Sequence, residues 1–455
     1  MALNNGFRTE NFPSSDFTQN SPKRLTELTL LVLAWIVIGA AYILTSFGQK
    51  GHLPPKVYAF LGVVIATSGL LHVGIRKLAP LASQTLIPIA TLLNGLGYVE
   101  IARWNPLAAS YQAFYSVLSA LAVIAVLYLV KNVRDLDRYR YLTLVTAVGL
   151  MMLPLIPHVG QNILGARMWV HIGPLSFQPV ELAKILLVFF FASYFSSNRE
   201  LLSTPTQSFG PFRFVAPRVL LPILIAWGVV LAILGAENDV GFAMMIFALF
   251  FSMLWITTGL RAYLAMAGVL FVTGGFAVIH LFHHVQARIS MWLDPWSAHN
   301  FANSSQLANG WFSLSAGGIL GTGLGLGQAG RWVSFATSDM ITASLGEELG
   351  FVGLIIIVAL FAMFVGEGFR IAQRAQSDFV KLTAGGLTTL MGLQVFFIMA
   401  GVFRLLPLTG ITLPFMAYGG SSLICNYLLV ALLLRISHAN ATDRVGGGVI
   451  SVPLD

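Results

Sequence analysis

HHVQARISMWLDPWSAHNFANSSQLANGWFSLSAGGILGTGLGLGQAGRWVSFATSDMITASLGEE, His283 to Glu348, is the longest polar interval between two strongly apolar segments of this 455-residue chain. Loops of such length in compact proteins are either functional or disordered. This one is too rich in Trp, Phe and Gly for a solvated linker. It ends in Asp339, Glu347 and Glu348, where an apolar segment begins. The stretch reads as a long loop set between membrane spans, with chemistry expected inside it.

The sequence on either side agrees. It is 56% hydrophobic and 10% charged, whereas a soluble domain is about one-quarter charged. Many apolar runs exceed the length of a transmembrane helix. They are continuous rather than alternating, which argues against a barrel. The expected fold is an all-α polytopic membrane protein. About twelve spans are read at 27–48, 57–74, 80–99, 113–130, 141–158, 180–196, 217–235, 241–259, 263–283, 347–366, 382–402 and 411–435, by apolar run length. Residues 1–26 read as a cytoplasmic tail ending in Pro22-Lys23-Arg24, before an uncleaved first span. Residues 27–437 form the membrane domain, and 438–455 a second cytoplasmic tail with a flexible Gly446–Gly448. Residues 197–216 read as a cytoplasmic connector.

The net charge of +8 is a topology signal in such a chain, not a nucleic-acid footprint. With the N-terminus inside, about 18 Lys and Arg fall in inner loops and about 7 in outer ones, as the positive-inside rule requires. Both termini are then cytoplasmic, and loop 284–346 between spans nine and ten is extracytoplasmic. Glu100, Glu237, Asp239, Asp294, Asp339, Glu347 and Glu348 all fall at the outer side. The single cysteine, Cys425, excludes an internal disulfide framework. No internal repeat is evident.

Five constellations carry the functional signal. Glu181 and Lys184 follow Gln178-Pro179 at a helix start and share a face. Ionisable groups within spans are functional hypotheses by default; the plainer reading is a pair that stabilises the helix start. Glu237 and Asp239 open another helix, where the positive dipole end favours carboxylates; a divalent cation or a sugar hydroxyl is the sharper reading. Arg288 precedes Asp294-Pro295, and the glycines of Gly317–Gly327 suit either a phosphate or a packed re-entrant segment. Asp339 is a candidate base or a helix N-cap. Pro407, Gly410, Pro414 and Gly419-Gly420 break an apolar segment just before Ser421 and Ser422, which could bind a ligand or bond back to their own helix.

Taken together, these motifs resemble the SEDS family (shape, elongation, division and sporulation) of the RodA/FtsW type, most closely its actinobacterial RodA-like members. The marks run in order: G-A-x-x-W at Gly165–Trp169, Q-P-x-E-x-x-K at Gln178–Lys184, D-x-G at Asp239–Gly241, and R…W-L-D-P at Arg288–Pro295. GG-x-x-GTGLG at Gly317–Gly325, Ser338-Asp339 before G-E-E-L-G-F, and L-P-L-T-G-I-T-L-P-F…Y-GGSS at Leu406–Ser422 complete them. Departures exist. Met168 rather than Arg precedes Trp169, with Arg167 one place earlier; the usual Q-P-D-L-G-T is AENDVGF; and SAHNFANSS stands at Ser297–Ser305.

The resemblance implies a peptidoglycan glycosyltransferase of the bacterial cytoplasmic membrane that polymerises lipid II, the undecaprenyl-pyrophosphate-linked disaccharide pentapeptide, at the outer face. It implies a class B penicillin-binding protein as partner, a role in cell shape or division, and no nucleic acid. It makes Asp339 the catalytic residue. Lys184, Glu181, Arg288, Arg404, Arg167, Ser421 and Ser422 become candidates for substrate binding, and Glu237 and Asp239 for a divalent cation, Mg or Mn. A lipid-precursor flippase and a membrane scaffold for a transpeptidase are the alternatives.

Overall fold

The structure is a computed structural model that describes residues 24–52, 57–163, 165–172, 175–204, 207–209, 212–214, 217–297, 300 and 304–447. The chain begins with α1 (Leu25–Lys50), α2 (Val57–Leu78), α3 (Leu86–Trp104), α4 (Pro106–Leu129) and α5 (Arg140–Met152). A small antiparallel sheet follows, made of β1 (Gly160–Ile163), β2 (Ala166–Ile172) and β3 (Leu175–Phe177) in that order. Next come α6 (Pro179–Ser197), α7 (Arg199–Ser203) and a hairpin of β4 (Gln207–Phe209) and β5 (Phe212–Phe214). Then follow α8 (Pro217–Ala236), α9 (Val240–Thr258), α10 (Arg261–Leu281) and α11 (His283–Leu293). The rest is α12 (Ser305–Gly317), α13 (Ala329–Trp332), α14 (Ile341–Gln373), α15 (Asp378–Val402) and α16 (Gly420–Gly447).

Each of the twelve expected ranges holds a helix. Among the described residues nine helices are long and apolar enough to cross a membrane: α1, α2, α4, α6, α9, α10, α14, α15 and α16. The helices in the other three ranges are α3, which carries Glu100 and Arg103 near its end, the 13-residue α5, and α8. The bundle is layered. The most apolar stretches of α15, α16 and α6 are 78%, 78% and 72% buried, whereas that of α10 is 11% buried. Lipid therefore replaces protein as the partner of α10, since a bilayer satisfies an apolar helix without burial.

Helix starts follow local chemistry. Asn105 accepts from Ala108 N–H with Pro106 in the first turn of α4, and Ser377 accepts from Val380 N–H at the start of α15. Each satisfies a donor that has no partner inside the helix.

Several boundaries move. The tenth span starts at Ile341 rather than 347, because Glu347 and Glu348 have buried partners and do not end the helix. The twelfth starts at Gly420, and 411–419 is not helical, since Pro414 lacks the N–H a helix would need. It continues to Gly447, so the boundary read at 438 falls inside a helix. The connector 197–216 contains α7 and the β4–β5 hairpin, and the segment before α6 pairs as a sheet. Among the described residues, the loop 284–346 holds nearly all of α11, then α12 and α13, and ends in the first residues of α14.

The glycine-rich part of that loop is a packing device. α14 breaks at Gly350, whose φ of 67° is left-handed. A side chain there would strike the backbone of Ile319 and Gly321. Across the break, Thr322 N–H and Gly323 N–H donate to the Glu347 and Glu348 carbonyls at 2.9 and 3.1 Å, and Phe351 N–H donates to Gly318 at 3.0 Å. The carbonyls released by the kink thus find donors in the loop.

Candidate active site

The starts of α6, α9, α14 and α16 gather at one end of the bundle with the finish of α15. Gln178 N–H, just before α6, donates to Ser421 Oγ at 3.2 Å. Gly241, in the first turn of α9, lies so close to the Thr409 carbonyl that no side chain fits. Tyr418 N–H donates to the Thr337 carbonyl at 2.8 Å, tying the approach to α14 to the approach to α16. Four positive dipole ends therefore share one region.

Into it project the charges. Glu181 and Lys184, one turn into α6, are both about 1% exposed, with Oε2 and Nζ 2.6 Å apart. Lys184 Nζ also donates to Gln394 Oε1 of α15 at 2.8 Å and stands 5.5 Å from the Phe242 ring. Gln394 in turn donates to the Thr412 carbonyl at 3.0 Å, and Thr412 and Ser422 hydroxyls lie 2.8 Å apart. Lys184 is thereby fixed by groups from three elements. A lone amide within the apolar run of α15 was the available signal for Gln394, which sequence reading passed over.

Asp239 caps α9 by accepting from Phe242 N–H at 3.0 Å. Burial pushes its carboxyl up to about 6, although that hydrogen bond and Arg288 oppose the change. Glu237 is buried beside it, and among the described residues neither of its carboxylate oxygens has a hydrogen-bond partner. Burial, then the charge of Asp239, push it up to about 8. The sheet holds this turn in place. Arg167 N–H donates to the Glu237 carbonyl at 3.1 Å, and Asn238 Nδ2 donates to the Gly165 carbonyl at 3.0 Å. The Arg167 side chain itself is exposed. Met168, where the family pattern has arginine, accepts from Gln178 Nε2 through sulfur at 3.2 Å.

Asp339 sits just before α14 on a tight turn, where Ser338 and Met340 N–H both donate to the Phe335 carbonyl. Phe335 itself has a φ of 59°. Met340, not Asp339, occupies the N-cap position. Asp339 faces the loop after α15, where a side chain at Gly410 would approach Asp339 Oδ2 to 4.0 Å. Burial raises its carboxyl to about 6, and Arg288 works against that. Arg288, in the middle of α11, thus acts electrostatically on both Asp239 and Asp339. No hydrogen-bond or ion-pair partner engages its guanidinium among the described residues.

Arg404 has a different post. Its Nε and Nη2 donate to the Trp292 and Leu293 carbonyls at 3.3 and 3.1 Å, while Trp292 Nε1 donates back to the Arg404 carbonyl at 3.0 Å. It therefore closes the C-terminal end of α11, the helix that carries Arg288. Ser421 and Ser422 bond to neighbouring elements, and Ser422 also accepts from Asn426 of its own helix. Asp294 is exposed.

Glu347 and Glu348 are not in this group. Glu347 accepts from Gln328 and Ala329 N–H at 2.8 and 2.7 Å, and Glu348 accepts from Gly325 N–H and pairs with Arg103 of α3. Among the described residues no three His, Cys, Asp or Glu gather into a metal-holding cluster. Glu237 and Asp239 fit part of one: two buried carboxylates with three unpartnered oxygens between them, the hard donors that Mg or Mn prefers.

The model of the cell cycle protein family that groups FtsW, RodA and SpoVE matches residues 56–442. The peptidoglycan glycosyltransferase RodA of Mycobacterium tuberculosis (strain ATCC 25618 / H37Rv) is 34% identical over 427 residues, covering 91% of this chain and 91% of that protein. The probable peptidoglycan glycosyltransferase FtsW of Geobacter metallireducens is 33% identical over 327 residues, covering 72% and 84%. In three dimensions, a chain from a structure on the coordination of polymerization and crosslinking by a peptidoglycan synthase complex superposes with a TM-score of 0.64. It is 23% identical and covers 80% of this chain and 98% of that one. The crystal structure of Thermus thermophilus rod shape determining protein RodA gives a TM-score of 0.55 at 24% identity, covering 80% and 97%.

Proposed function

Because the chain belongs to the cell cycle protein family of FtsW, RodA and SpoVE, we propose that it is a peptidoglycan glycosyltransferase that polymerises lipid II. It is a multi-pass membrane protein. The cytoplasmic membrane is its proposed location, with twelve spans and with the site and loop 284–346 on the outer side. A class B penicillin-binding transpeptidase is the proposed partner, in keeping with the synthase complex that one structural neighbour comes from.

The observation that carries this reading is that Asp339 and Asp239 both lie under the charge of Arg288 where four helix starts meet. Attack by the acceptor sugar hydroxyl on C1 of the diphosphate-linked donor breaks the C1–O bond to diphosphate in one inversion. The hydroxyl proton goes to Asp339. A base with a pKa near 6 is ionised at neutral pH and is a better proton acceptor than an ordinary aspartate. The electron pair leaves with diphosphate, whose growing charge is met by Lys184, Arg288 and the helix N-termini. The exposed side chain of Arg167, on β2, would lie beside that path. Arg404 serves by holding α11, and Ser421 and Ser422 by fixing the starts of α6 and α16. Glu181 holds Lys184 in place. A divalent cation would be held by Glu237 and Asp239, and would supply neutralising charge to the diphosphate.

The activity is tested with purified protein and lipid II, with and without a cognate transpeptidase lacking any glycosyltransferase domain. Glycan strands are expected. Their absence, under conditions where lipid II crosses vesicles containing the protein, would replace the polymerase with a flippase.

Arg288 gives a sharper expectation. It holds down the carboxyls of both Asp239 and Asp339, so Arg288→Gln should move the acidic limb of the kcat/KM profile from about 6 upward by roughly one unit. A lower rate with an unmoved limb would leave Arg288 a role at the diphosphate alone.

A further inference from the structure

A second polar site lies at the other end of the bundle. Ser422 and His438 are separated by about 24 Å along α16, at 1.5 Å per residue. Around His438 the end of α16, the segment after α4 and the start of α15 enclose a cavity of about 300 Å³. Lys131, Arg134 and Arg435 line it, with His438, Asn132 and Gln376, and one carboxylate, Asp443. Three basic side chains thus face one carboxylate.

The cations are not neutralised locally. Arg435 is held against the wall by carbonyls, its Nε donating to Lys131 O at 2.8 Å and its Nη1 to Leu78 O at 3.2 Å. Carbonyls orient a guanidinium without cancelling its charge. Arg134 meets Asp443 at 3.6 Å with both side chains about half exposed, a contact of little strength. Lys131 has no carboxylate partner among the described residues. Next to Lys131, at the end of α4, Tyr128 and Leu129 are 67% and 74% exposed. Cations beside a lipid-facing aromatic and leucine match the headgroup zone of a bilayer. By the positive-inside distribution this end faces the cytoplasm.

We propose that this cavity binds the phosphate headgroup of an anionic phospholipid of the inner leaflet, with Lys131, Arg134 and Arg435 as its ligands and the acyl chains lying along Tyr128 and Leu129. The site is independent of the sugar-transfer centre. It spans three segments, so an occupied site adds a cross-link between α16 and the turns before α5 and α15.

The full chain in nanodiscs of phosphatidylcholine doped with phosphatidylglycerol tests this. Phosphatidylglycerol retained after transfer to detergent is counted by native mass spectrometry. Lys131→Gln with Arg134→Gln, both exposed, should weaken retention roughly 30-fold, two cations at the weight each carries near an anionic surface. Asp443→Asn should strengthen it severalfold, and a melting curve for each variant establishes that the fold is kept. Equal retention by parent and double variant, or none by the parent, would remove the site. Displacement of phosphatidylglycerol by millimolar inorganic phosphate would overturn the lipid assignment in favour of a soluble phosphate ester.

Discussion

Asp339→Asn should lower strand synthesis by about 10²- to 10⁴-fold, the usual contribution of a positioned general base, while making the protein harder to unfold. The two effects share a cause. The Asp339 carboxyl is raised from 3.8 to about 6 because burial disfavours its charge. An unfolded aspartate titrates near 3.9. Below about pH 4 both states are protonated and the side chain costs nothing. Between about 4 and 6 the unfolded state releases its proton first, so stability falls as pH rises. At pH 7 the deficit reaches about 3 kcal/mol, from roughly two pKa units. Asparagine has no such deficit, so the variant should melt higher at pH 7 and equally at pH 4. Melting curves at both pH values, beside a lipid II assay with the transpeptidase bound, measure this. Undiminished synthesis would dismiss Asp339 as the base, and an unchanged melting point at pH 7 would show that its charge is better solvated than its burial implies.

The second large effect falls on stability. Arg103→Ala should cost about 3–5 kcal/mol, the range for removing one partner of a buried ion pair. Arg103 and Glu348 are 3% and 1% exposed. Arg103 also donates to the carbonyls of Gly325 and Gly327 and stacks on Trp104, its guanidinium carbon 4.1 Å from the ring centroid. Its loss would leave the buried Glu348 carboxylate with the Gly325 N–H but no counter-charge, and two carbonyls without the guanidinium, beside the kink of α14. The double change Arg103→Met with Glu348→Gln should recover much of the loss, because it removes both charges together. Denaturant titration in micelles measures both proteins. A double variant no better than Arg103→Ala would mean that the carbonyl contacts, rather than the ion pair, hold the loop.

Much of the architecture was legible because apolar runs of membrane length have one good solution, a helix. The ranges read for α6, α9 and α15 lie within a few residues of those observed. Ends failed where a tertiary partner, invisible in the chain, replaced water. Glu347 and Glu348 look like the polar edge of a span until Gln328, Ala329 and Gly325 N–H groups come to meet them. Pro414 broke the last span more completely than its neighbours suggested. At the site, Glu181, Lys184, Glu237, Asp239, Arg288 and Asp339 could be named singly from residue type and motif. Their meeting could not, since it depends on Arg404 holding the end of α11, and nothing near Arg404 in sequence points to Trp292. Gln394 was missed because one amide in an apolar run has no motif to mark it.

The bare surface of α10 has a consequence for where this protein works. A helix held chiefly by lipid takes its tilt and depth from the thickness of the hydrocarbon around it, at fractions of a kcal/mol per ångström of mismatch. α10 ends at Leu281, and α11 begins two residues later at His283, carrying Arg288 seven residues beyond the end of α10. A thinner or thicker bilayer therefore presses on the height of one arginine relative to two carboxyls. Membrane composition becomes a setting on the chemistry, felt through the least encumbered helix of the bundle.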